Sequence, residues 1–336
     1  MIPSDGQRQP GDRNDVVSCR SLLRRRPRGR RGSHERRRAA RADPNIVVTG
    51  ERDPPTEREI TAQARNISII GDPRDNPLPR FEDRICPGVL GLTDDAAAYI
   101  IQRIRFNAEQ FGLRMAPDDG TCEPNFIVAF VDDAQNQLVA LARSNGYMLA
   151  GLSVTARGEL LDAPGAARVW VNTLTRTRDG MPTQSARDAA GAPERRGTTF
   201  GGTDGGGNAI ANSYSVGLPP VAATQAAQSR IFFPVREDIV SVMVLFDRAQ
   251  VRGKSLLQLA DYATMRGMAT TRETSGEPEA STILSLFDGD GPTPDRLTSF
   301  DLAYLESLYA GIPNLPALSK IAGVSDFMER NAAEGE

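Results

Sequence analysis

Histidine is almost absent from this sequence, because its 336 residues include only one, His34. A Ser-His-Asp or Cys-His nucleophilic site needs an imidazole to carry the proton, and most catalytic zinc sites need neutral imidazole ligands. His34 lies in an arginine-rich stretch near the N-terminus, so the rest of the chain has no side chain for either task. The composition therefore argues against histidine-dependent hydrolases and the common zinc enzymes.

Long apolar runs are also missing. The longest strong one is IVSVMVLF at 239–246, far shorter than the ~18 to 20 residues that cross a bilayer as a helix. No transmembrane segment is therefore expected. Aromatic residues make up only 6% of the chain, which leaves few platforms for stacking sugars. The acid pairs at 118–119, 132–133 and 288/290 are more typical of caps and turns than of a glycosidase.

Charge is distributed unevenly along the chain. Residues 1–43 contain 13 arginines and five acids, a net charge of +8, so with a total of -3 the remaining residues carry -11. An acidic body does not favour nucleic-acid binding, which needs clustered cations. The arginine-rich stretch at 24–42 has no apolar periodicity and is predicted to be disordered. It fits an RNA-binding arm, a base-composition bias in the gene, or a misplaced start.

The same stretch bears on the compartment. Ala40-Arg41-Ala42 before Asp43 has the small-x-small form of a signal-peptidase site, yet the apolar region that should precede such a site is missing. We expect a periplasmic or secreted protein whose export signal is not intact in this sequence. A cytoplasmic location is the alternative.

Cysteine usage favours export as well. Cys19 lies in the arginine-rich tail, which leaves Cys86 and Cys122 in the body. We predict a disulfide between these two, closing a loop of about 37 residues and stabilising the fold by roughly 3 to 4 kcal/mol on the chain-entropy model. Two buried thiols in a cytosolic protein are the alternative.

Hydrophobic periodicity predicts an α+β fold, with a mixed sheet and a helical C-terminal lobe. A three-layer α/β arrangement is also compatible with the pattern. Strands and helices alternate up to the helix at 255–268, after which only helical patterns follow. The expected helices lie at 56–67, 96–113, 133–146, 255–268, 281–287, 297–311 and 316–331, and the expected strands at 89–92, 125–131, 167–175, 229–235 and 237–247.

The domain organisation follows from composition. Residues 1–42 form the predicted tail, 43–331 a single α+β domain, and 332–336 a short disordered end. Within the domain, residues 178–230 are rich in Gly, Ala, Thr and Pro, with FGGTDGGGNA near the centre. We interpret them as a long insertion, because no strand before and helix start after mark a phosphate-binding loop there.

The stretch SLLQLADYATMRGMATT at 255–271 has the spacing of a zinc-peptidase helix without its ligands. In the metzincin motif H-E-x-x-H-x-x-G-x-x-H, residues at i and i+4 share a helical face and hold one metal. Aligned on Gly267, the ligand positions fall on Ala260, Thr264 and Thr270, and the acid position on Asp261. Only the acid and the glycine remain.

Downstream residues extend this resemblance. The stretch from 281 to 309 is similar to the matrixin pattern, with Ile283-Leu284 at an Ile-Met turn, and with Leu297, Thr298, Asp301, Leu305, Leu308 and Tyr309 in the following LT..D...L..LY pattern. Residues 228–312 also resemble a family of exported alphaproteobacterial proteins, some described as predicted zinc-dependent proteases. The resemblance implies a zincin-like fold that lacks zinc ligands.

Other interpretations of these segments stay open. The helix at 255–268 also fits an ordinary amphipathic core helix, and a metallopeptidase that uses acids alone would favour Ca or Mg over Zn. Gly253-Lys254-Ser255 resembles the end of a P-loop, but Arg248 stands where the first glycine is required. The run DGDGPTPD at 288–295 lacks the spacing of a calcium loop and is interpreted as a turn.

Together these patterns predict a cell-envelope or secreted protein with a zincin-like scaffold and a non-catalytic, binding or structural role. No cofactor or metal is expected, and the partner, an envelope protein or a peptide, is not identified by the sequence. The alternative is a peptidase-like hydrolase with an acid-based site. Its candidate catalytic residues are Asp261, Asp301 and Glu306, of which Asp301 is also interpreted as a helix cap.

Overall fold

The structure is a computed structural model, and it describes residues 54–70, 73–74, 76–144, 149, 152–183, 231–274, 276, 278–289 and 293–334. All of them lie in the second of the two units into which the chain divides, Asp53–Glu336. The predicted tail at 1–42 and the domain start at residue 43 lie outside the described residues. So do most of the predicted insertion, residues 184–230, and the last two residues of the chain.

A four-stranded mixed sheet forms the centre of this unit. Its strands are β1 (Pro87–Leu90), β2 (Phe126–Val131), β3 (Ala167–Thr177) and β4 (Val235–Asp247), in the order β1-β2-β4-β3. Strands β1, β2 and β4 run parallel, and β3 pairs antiparallel with β4 at one edge. The predicted α+β class with a mixed sheet is therefore confirmed.

Helices cover both faces of the sheet. Over the described residues the helices are α1 (Glu57–Ile67), α2 (Asp94–Gln110), α3 (Ala134–Ser144), α4 (Val154–Asp162), α5 (Leu256–Met268), a 3-10 helix (Ile283–Phe287), α6 (Ser299–Tyr309) and α7 (Ala317–Glu334). The larger core lies beneath α2, α5 and α6 and includes Phe126, Val244 and Phe246, whereas the smaller core lies beneath α3 and α4 and includes Leu138 and Trp170.

Three helices begin with the reciprocal hydrogen bonds of a capping box. Thr56 pairs with Glu59 at α1, Ser255 with Gln258 at α5, and Thr298 with Asp301 at α6. In each box, the N-cap hydroxyl accepts a hydrogen bond from the N3 backbone N–H, and the N3 side-chain oxygen accepts one from the N-cap backbone N–H. These local signals explain why the predicted starts of α1, α5 and α6 are confirmed.

Several predicted elements differ from the structure. Residues 231–234 do not form a strand, because Pro234 has no N–H for a ladder, and the strand begins at Val235. Helix α4 was not predicted, because its sequence VTARGELLD is short and lacks apolar periodicity. Residues 281–287 contain a 3-10 helix rather than an α-helix. The start of the predicted insertion is a tight turn whose Met181 carbonyl accepts from Thr177 N at 2.8 Å.

The predicted disulfide is present. Cys86 and Cys122 are bonded, with Cα atoms 6.2 Å apart, so the loop after α2 is tied to the residue just before β1. Asn125 strengthens this junction, because its Oδ1 accepts from Cys86 N at 2.8 Å and its Nδ2 donates to the Arg84 carbonyl at 3.0 Å. Within the part of the chain that the structure describes, no helix is both long and apolar enough to cross a membrane.

Candidate functional site

Helix α5, which carries the motif positions, is enclosed by the rest of the fold. Every residue from Gln258 to Met268 is buried, and the ligand positions Ala260 and Thr264 are fully so. Gly267 explains how the helix fits. A Cβ built there would lie 2.6 Å from Phe126 Cε2 and 2.7 Å from Val242 Cγ1, so the glycine lets α5 approach the sheet more closely than any side chain permits.

Asp261, at the acid position, is the hub of a buried network. Its Oδ1 accepts from Arg103 Nε at 2.6 Å and from Asn107 Nδ2 at 2.8 Å. Its Oδ2 accepts from Arg103 Nη2 at 2.8 Å and from Leu297 N at 2.9 Å. The carboxylate is fully buried, whereas Arg103 is about one-fifth exposed. Asp261 therefore joins α5 to α2 and to the loop before α6.

Thr264, one helical turn further on, completes this contact. Its hydroxyl donates to the Ala260 carbonyl at 2.9 Å and accepts from Asn107 Nδ2 at 3.0 Å. The amide of Asn107 thus bridges Asp261 and Thr264, and Asn107 itself is fully buried. Consequently, the side of α5 that presents two of the motif positions is occupied by α2.

Thr270, at the last ligand position, has an unusual backbone. Its φ is 48°, a left-handed conformation that β-branched residues rarely adopt. Its hydroxyl is buried without a hydrogen-bond partner, while its carbonyl accepts from Ile69 N at 3.2 Å. The residue terminates α5 in the position that glycine usually takes.

Asp301 organises a second buried junction. Its Oδ1 accepts from Thr282 Oγ1 at 2.6 Å, and its Oδ2 accepts from Ile283 N at 2.8 Å and from Thr298 N at 2.9 Å. Burial raises the pKa of this carboxyl to about 6, against the lowering effect of these hydrogen bonds. Asp301 therefore ties the 3-10 helix to the start of α6, which matches its predicted role as a cap.

The three predicted acids do not converge on one group. Asp261 and Asp301 accept from the successive backbone N–H groups of Leu297 and Thr298, so they brace the same loop. Glu306 lies one turn beyond this region, and its Oε2 accepts from Asn331 Nδ2 on α7 at 2.8 Å. The structure thus brings two of the acids to one loop and places the third between α6 and α7.

A second cluster of polar side chains, Tyr262, Arg266 and Glu273, lies at the C-terminal end of α5. The Tyr262 hydroxyl donates to Glu273 Oε1 at 2.7 Å and accepts from Arg266 Nη1 at 2.6 Å. Burial is the main reason that the pKa of Tyr262 is raised well above its ordinary value. Arg266 Nε also donates to the Thr271 carbonyl at 3.0 Å, so this group holds the chain as it leaves the helix.

The sequence did not predict a charged cluster where β3 and β4 extend beyond β2. We call it the hairpin cluster, defined by Arg80, Glu82, Arg176, Arg236 and Asp238. Asp238 is fully buried between two arginines: its Oδ2 accepts from Arg176 Nη1 and from Arg236 Nη2, both at 3.0 Å. Burial raises the pKa of the Asp238 carboxyl, against the lowering effect of both arginines.

The arginines of the hairpin cluster each have a second acid. Arg176 Nη1 lies 2.9 Å from Asp83 Oδ2, and Arg236 Nη1 lies 3.6 Å from Glu82 Oε2. The signal that could have found the cluster is the run Arg236-Glu237-Asp238 at the start of an apolar strand. It was missed because the opposing charges come from segments far away in sequence.

Two further titratable groups border the hairpin cluster. Burial raises the pKa of Glu237, whose oxygens accept from the hydroxyls of Thr175 at 2.6 Å and Thr173 at 3.3 Å. Burial lowers the pKa of Lys320 to about 8, and its Nζ donates to the carbonyl of Ala310 just beyond α6. This region is polar but packed, and its groups are engaged with one another.

The described residues contain no group of three or more His, Cys, Asp or Glu side chains arranged to hold a metal ion. The carboxylates of Asp261 on α5 and Asp301 on α6 accept hydrogen bonds from backbone and side-chain donors of the fold. No protein-family model, curated protein or solved structure matches this chain. Its function must therefore be argued from its own geometry.

Proposed function

We propose that this protein is an exported, non-catalytic protein of the cell envelope or the extracellular space. Its zincin-like scaffold uses the helix equivalent to a zinc-binding helix as a structural core element. The proposal rests on the surroundings of Asp261, the one acid at the motif positions. This carboxylate is fully buried and accepts four hydrogen bonds from Arg103, Asn107 and Leu297. Such a carboxylate has no free lone pair with which to polarise a water.

The arrangement around Asp301 supports the resemblance to the matrixin pattern. Asp301 lies 18 residues after Ile283 in this chain, and its Oδ2 accepts from the backbone N–H of Ile283 at 2.8 Å. This hydrogen bond packs the two positions of the pattern against each other. The pattern is therefore compatible with a scaffold retained for its stability.

The disulfide supports the exported location. Disulfides persist in oxidising compartments and are rare in the cytosol of most organisms. Cys86 and Cys122 close a loop around α2, the helix that supplies the partners of Asp261. An oxidising compartment would thus stabilise the part of the fold on which the core of α5 depends.

The rival proposal is a hydrolase that uses Asp261, Asp301 or Glu306. General acid–base catalysis needs a carboxyl within hydrogen-bond reach of a substrate. Asp261 and Asp301 are fully buried, so such a reaction requires the loop at 297–298 to move away from both. Glu306, which is partly exposed, is the acid that a substrate could reach without that movement.

The two proposals are separated by a metal and activity measurement on the purified full-length protein. We expect zinc, calcium and magnesium far below one per chain by inductively coupled plasma mass spectrometry, with matched buffer as the reference. We also expect no turnover in broad peptidase and glycosidase panels. Stoichiometric zinc, or turnover that vanishes in a folded active-site variant, would overturn the non-catalytic proposal.

The variants for this test are Asp261→Asn, Asp301→Asn and Glu306→Gln. A matched control is Glu329→Gln, because Glu329 is an exposed acid on α7. Circular dichroism must show that each variant is folded at the assay temperature. Turnover lost in Glu306→Gln and kept in Glu329→Gln would point to the rival hydrolase at the one candidate acid that is accessible.

A further inference from the structure

The outer face of α2 is a stripe that no described element covers. The helix buries Ile100, Ile104 and Ala108 against the core, and the opposite side is exposed. Successive members of the stripe are three or four residues apart, which puts them on one side of a helix. We call them the α2 stripe: Asp95, Tyr99, Gln102, Phe106 and Glu109, all exposed.

Two aromatic rings dominate this stripe. Tyr99 is 49% exposed and Phe106 is 51% exposed, although aromatic side chains are usually buried or placed at interfaces. They lie seven residues apart, two helical turns, with Gln102 between them. Two half-exposed rings on an otherwise polar stripe indicate a contact surface for a partner rather than a solvated face.

The stripe is acidic at both ends. Asp95 lies in the first turn and Glu109 in the last, and Asp118 joins the middle because its Oδ2 accepts from Gln102 Nε2 at 3.0 Å. Arg105 Nη2 lies 3.3 Å from the other oxygen of Asp118, which is 60% exposed. The stripe thus presents rings flanked by carboxylates, the complement of a cationic chain.

Arg103 also lies beside the stripe, and its charge is already matched. Its guanidinium makes the bidentate pair with buried Asp261, so it does not oppose a positive partner. At the same time its Cζ lies 5.2 Å from the centre of the Phe106 ring. One face of Phe106 therefore already accepts a guanidinium, an arrangement that aromatic faces favour.

We infer that the α2 stripe binds an arginine-rich peptide segment of a partner protein. Guanidinium groups stack on Tyr99 and Phe106, and Asp95 and Glu109 pair with the flanking cations. The stripe spans 15 residues of helix, and the 14 steps from Asp95 to Glu109 rise about 21 Å at 1.5 Å per residue, which an extended segment of about seven residues matches. The inference goes beyond the scaffold role and concerns a surface that this role leaves unused.

Fluorescence anisotropy with a labelled eight-residue peptide of alternating arginine and glycine tests this inference on the full-length protein. We expect saturable binding that weakens when NaCl is raised from 0.15 to 0.5 M, by the screening of charges. The Tyr99→Ala/Phe106→Ala protein should bind about five- to thirtyfold more weakly, since it loses two exposed cation–π contacts. Asp95→Asn/Glu109→Gln should weaken binding as well.

Matched controls separate the stripe from the acidic surface as a whole. Asp326→Asn/Glu329→Gln removes two exposed acids of α7, and Val154→Ala trims a side chain that is 91% exposed; both should bind like the parent protein. The inference is overturned if the peptide does not bind, if a glutamate–glycine peptide binds equally well, or if the control and stripe variants lose affinity alike. It is also overturned if the ring substitutions change only self-association in sedimentation velocity.

This result is independent of the metal and activity test. A protein without bound metal or turnover and without peptide binding would keep the scaffold proposal and lose the α2 inference. A protein with turnover and with peptide binding would lose the scaffold proposal and keep the α2 inference.

Discussion

Two regions of the molecule bury aspartates in different ways. Around α5, Asp261 is paired with Arg103 and also accepts from Asn107 and Leu297 N, and no second acid contacts Arg103 among the described residues. In the hairpin cluster, Asp238 contacts two arginines that each have another acid within 4 Å. The first arrangement depends on one pair, and the second distributes charge over several partners. Equal burial therefore does not imply equal sensitivity to substitution.

The largest expected effect comes from removing each aspartate in turn. Asp261→Asn leaves Arg103 without its acid and should lower the free energy of unfolding by about 3 to 5 kcal/mol. Asp238→Asn should lower it by about 1 to 2 kcal/mol, because Arg176 and Arg236 keep Asp83 and Glu82. Urea unfolding followed by circular dichroism measures both values. Equal losses would show that the two regions do not differ in this way.

A pH series sharpens the comparison for carboxyls in both regions. The folded pKa of Asp301, about 6, lies above its unfolded value near 3.8, so the folded state binds the extra proton between these values. Stability from this group is present below about pH 4 and is lost as pH rises through about 6, by on the order of 3 kcal/mol. Asp301→Asn should flatten that part of the stability curve.

Glu237 and Asp238 act in the same direction, because burial raises both pKa values. The difference between the parent and Asp301→Asn curves therefore isolates Asp301 from the hairpin cluster. The two curves should run parallel between pH 7 and 8. A difference curve without slope between pH 4 and 6 would contradict the assignment.

A third comparison tests how closely α5 is packed. Gly267→Ala adds a methyl group within 2.7 Å of the Phe126 ring and of Val242, and overpacking of this kind should destabilise by about 1 to 3 kcal/mol. Gly158→Ala on α4 is the matched control, since nothing lies within 4 Å of its added Cβ. That variant should be neutral or up to about 1 kcal/mol more stable. Thermal unfolding of both variants checks the contrast.

The smallest expected effect lies at the end of α5. Thr270→Gly removes a strained β-branched residue and a buried hydroxyl without a partner, and should stabilise the fold by about 1 kcal/mol. Asp133→Gly is the control, because Asp133 also has a positive φ of 58° but caps α3 through Asn136 N at 3.1 Å. Asp133→Gly should bring no such gain. A loss of stability in Thr270→Gly would indicate that the contacts of the Thr270 side chain stabilise the fold by more than its backbone strain costs.

Local signals in the sequence were enough for most elements. Helical patterns located α5 and α6 to within about two residues, where the structure shows Ser255 and Thr298 as N-caps, and apolar spacing identified α2, β2 and most of β4. The disulfide followed from cysteine count and context. The zincin-like resemblance and the exported location were predictions of the same kind, and they remain proposals.

Long-range polar contacts lay beyond prediction. Arg103 and Asp261 are 158 residues apart, and Arg176 and Asp238 are 62 apart, so no periodicity links either pair. The α2 residues Arg103 and Asn107 read as ordinary polar helix positions until α5 is placed beside them. Asp261 was a candidate catalyst in the sequence because its donors could not be seen there.

The Cys86–Cys122 bond has a consequence for the order of folding. Both cysteines and the whole of α2 precede β4, α5 and α6 in the chain. A chain delivered across a membrane with its N-terminal end first presents this pair before α5, on which α2 packs, has arrived. If the chain is exported in this way, as proposed, the two thiols can therefore be joined before the later helices arrive. The bond would in that case be an early constraint that holds α2 in a closed loop until α5 is present.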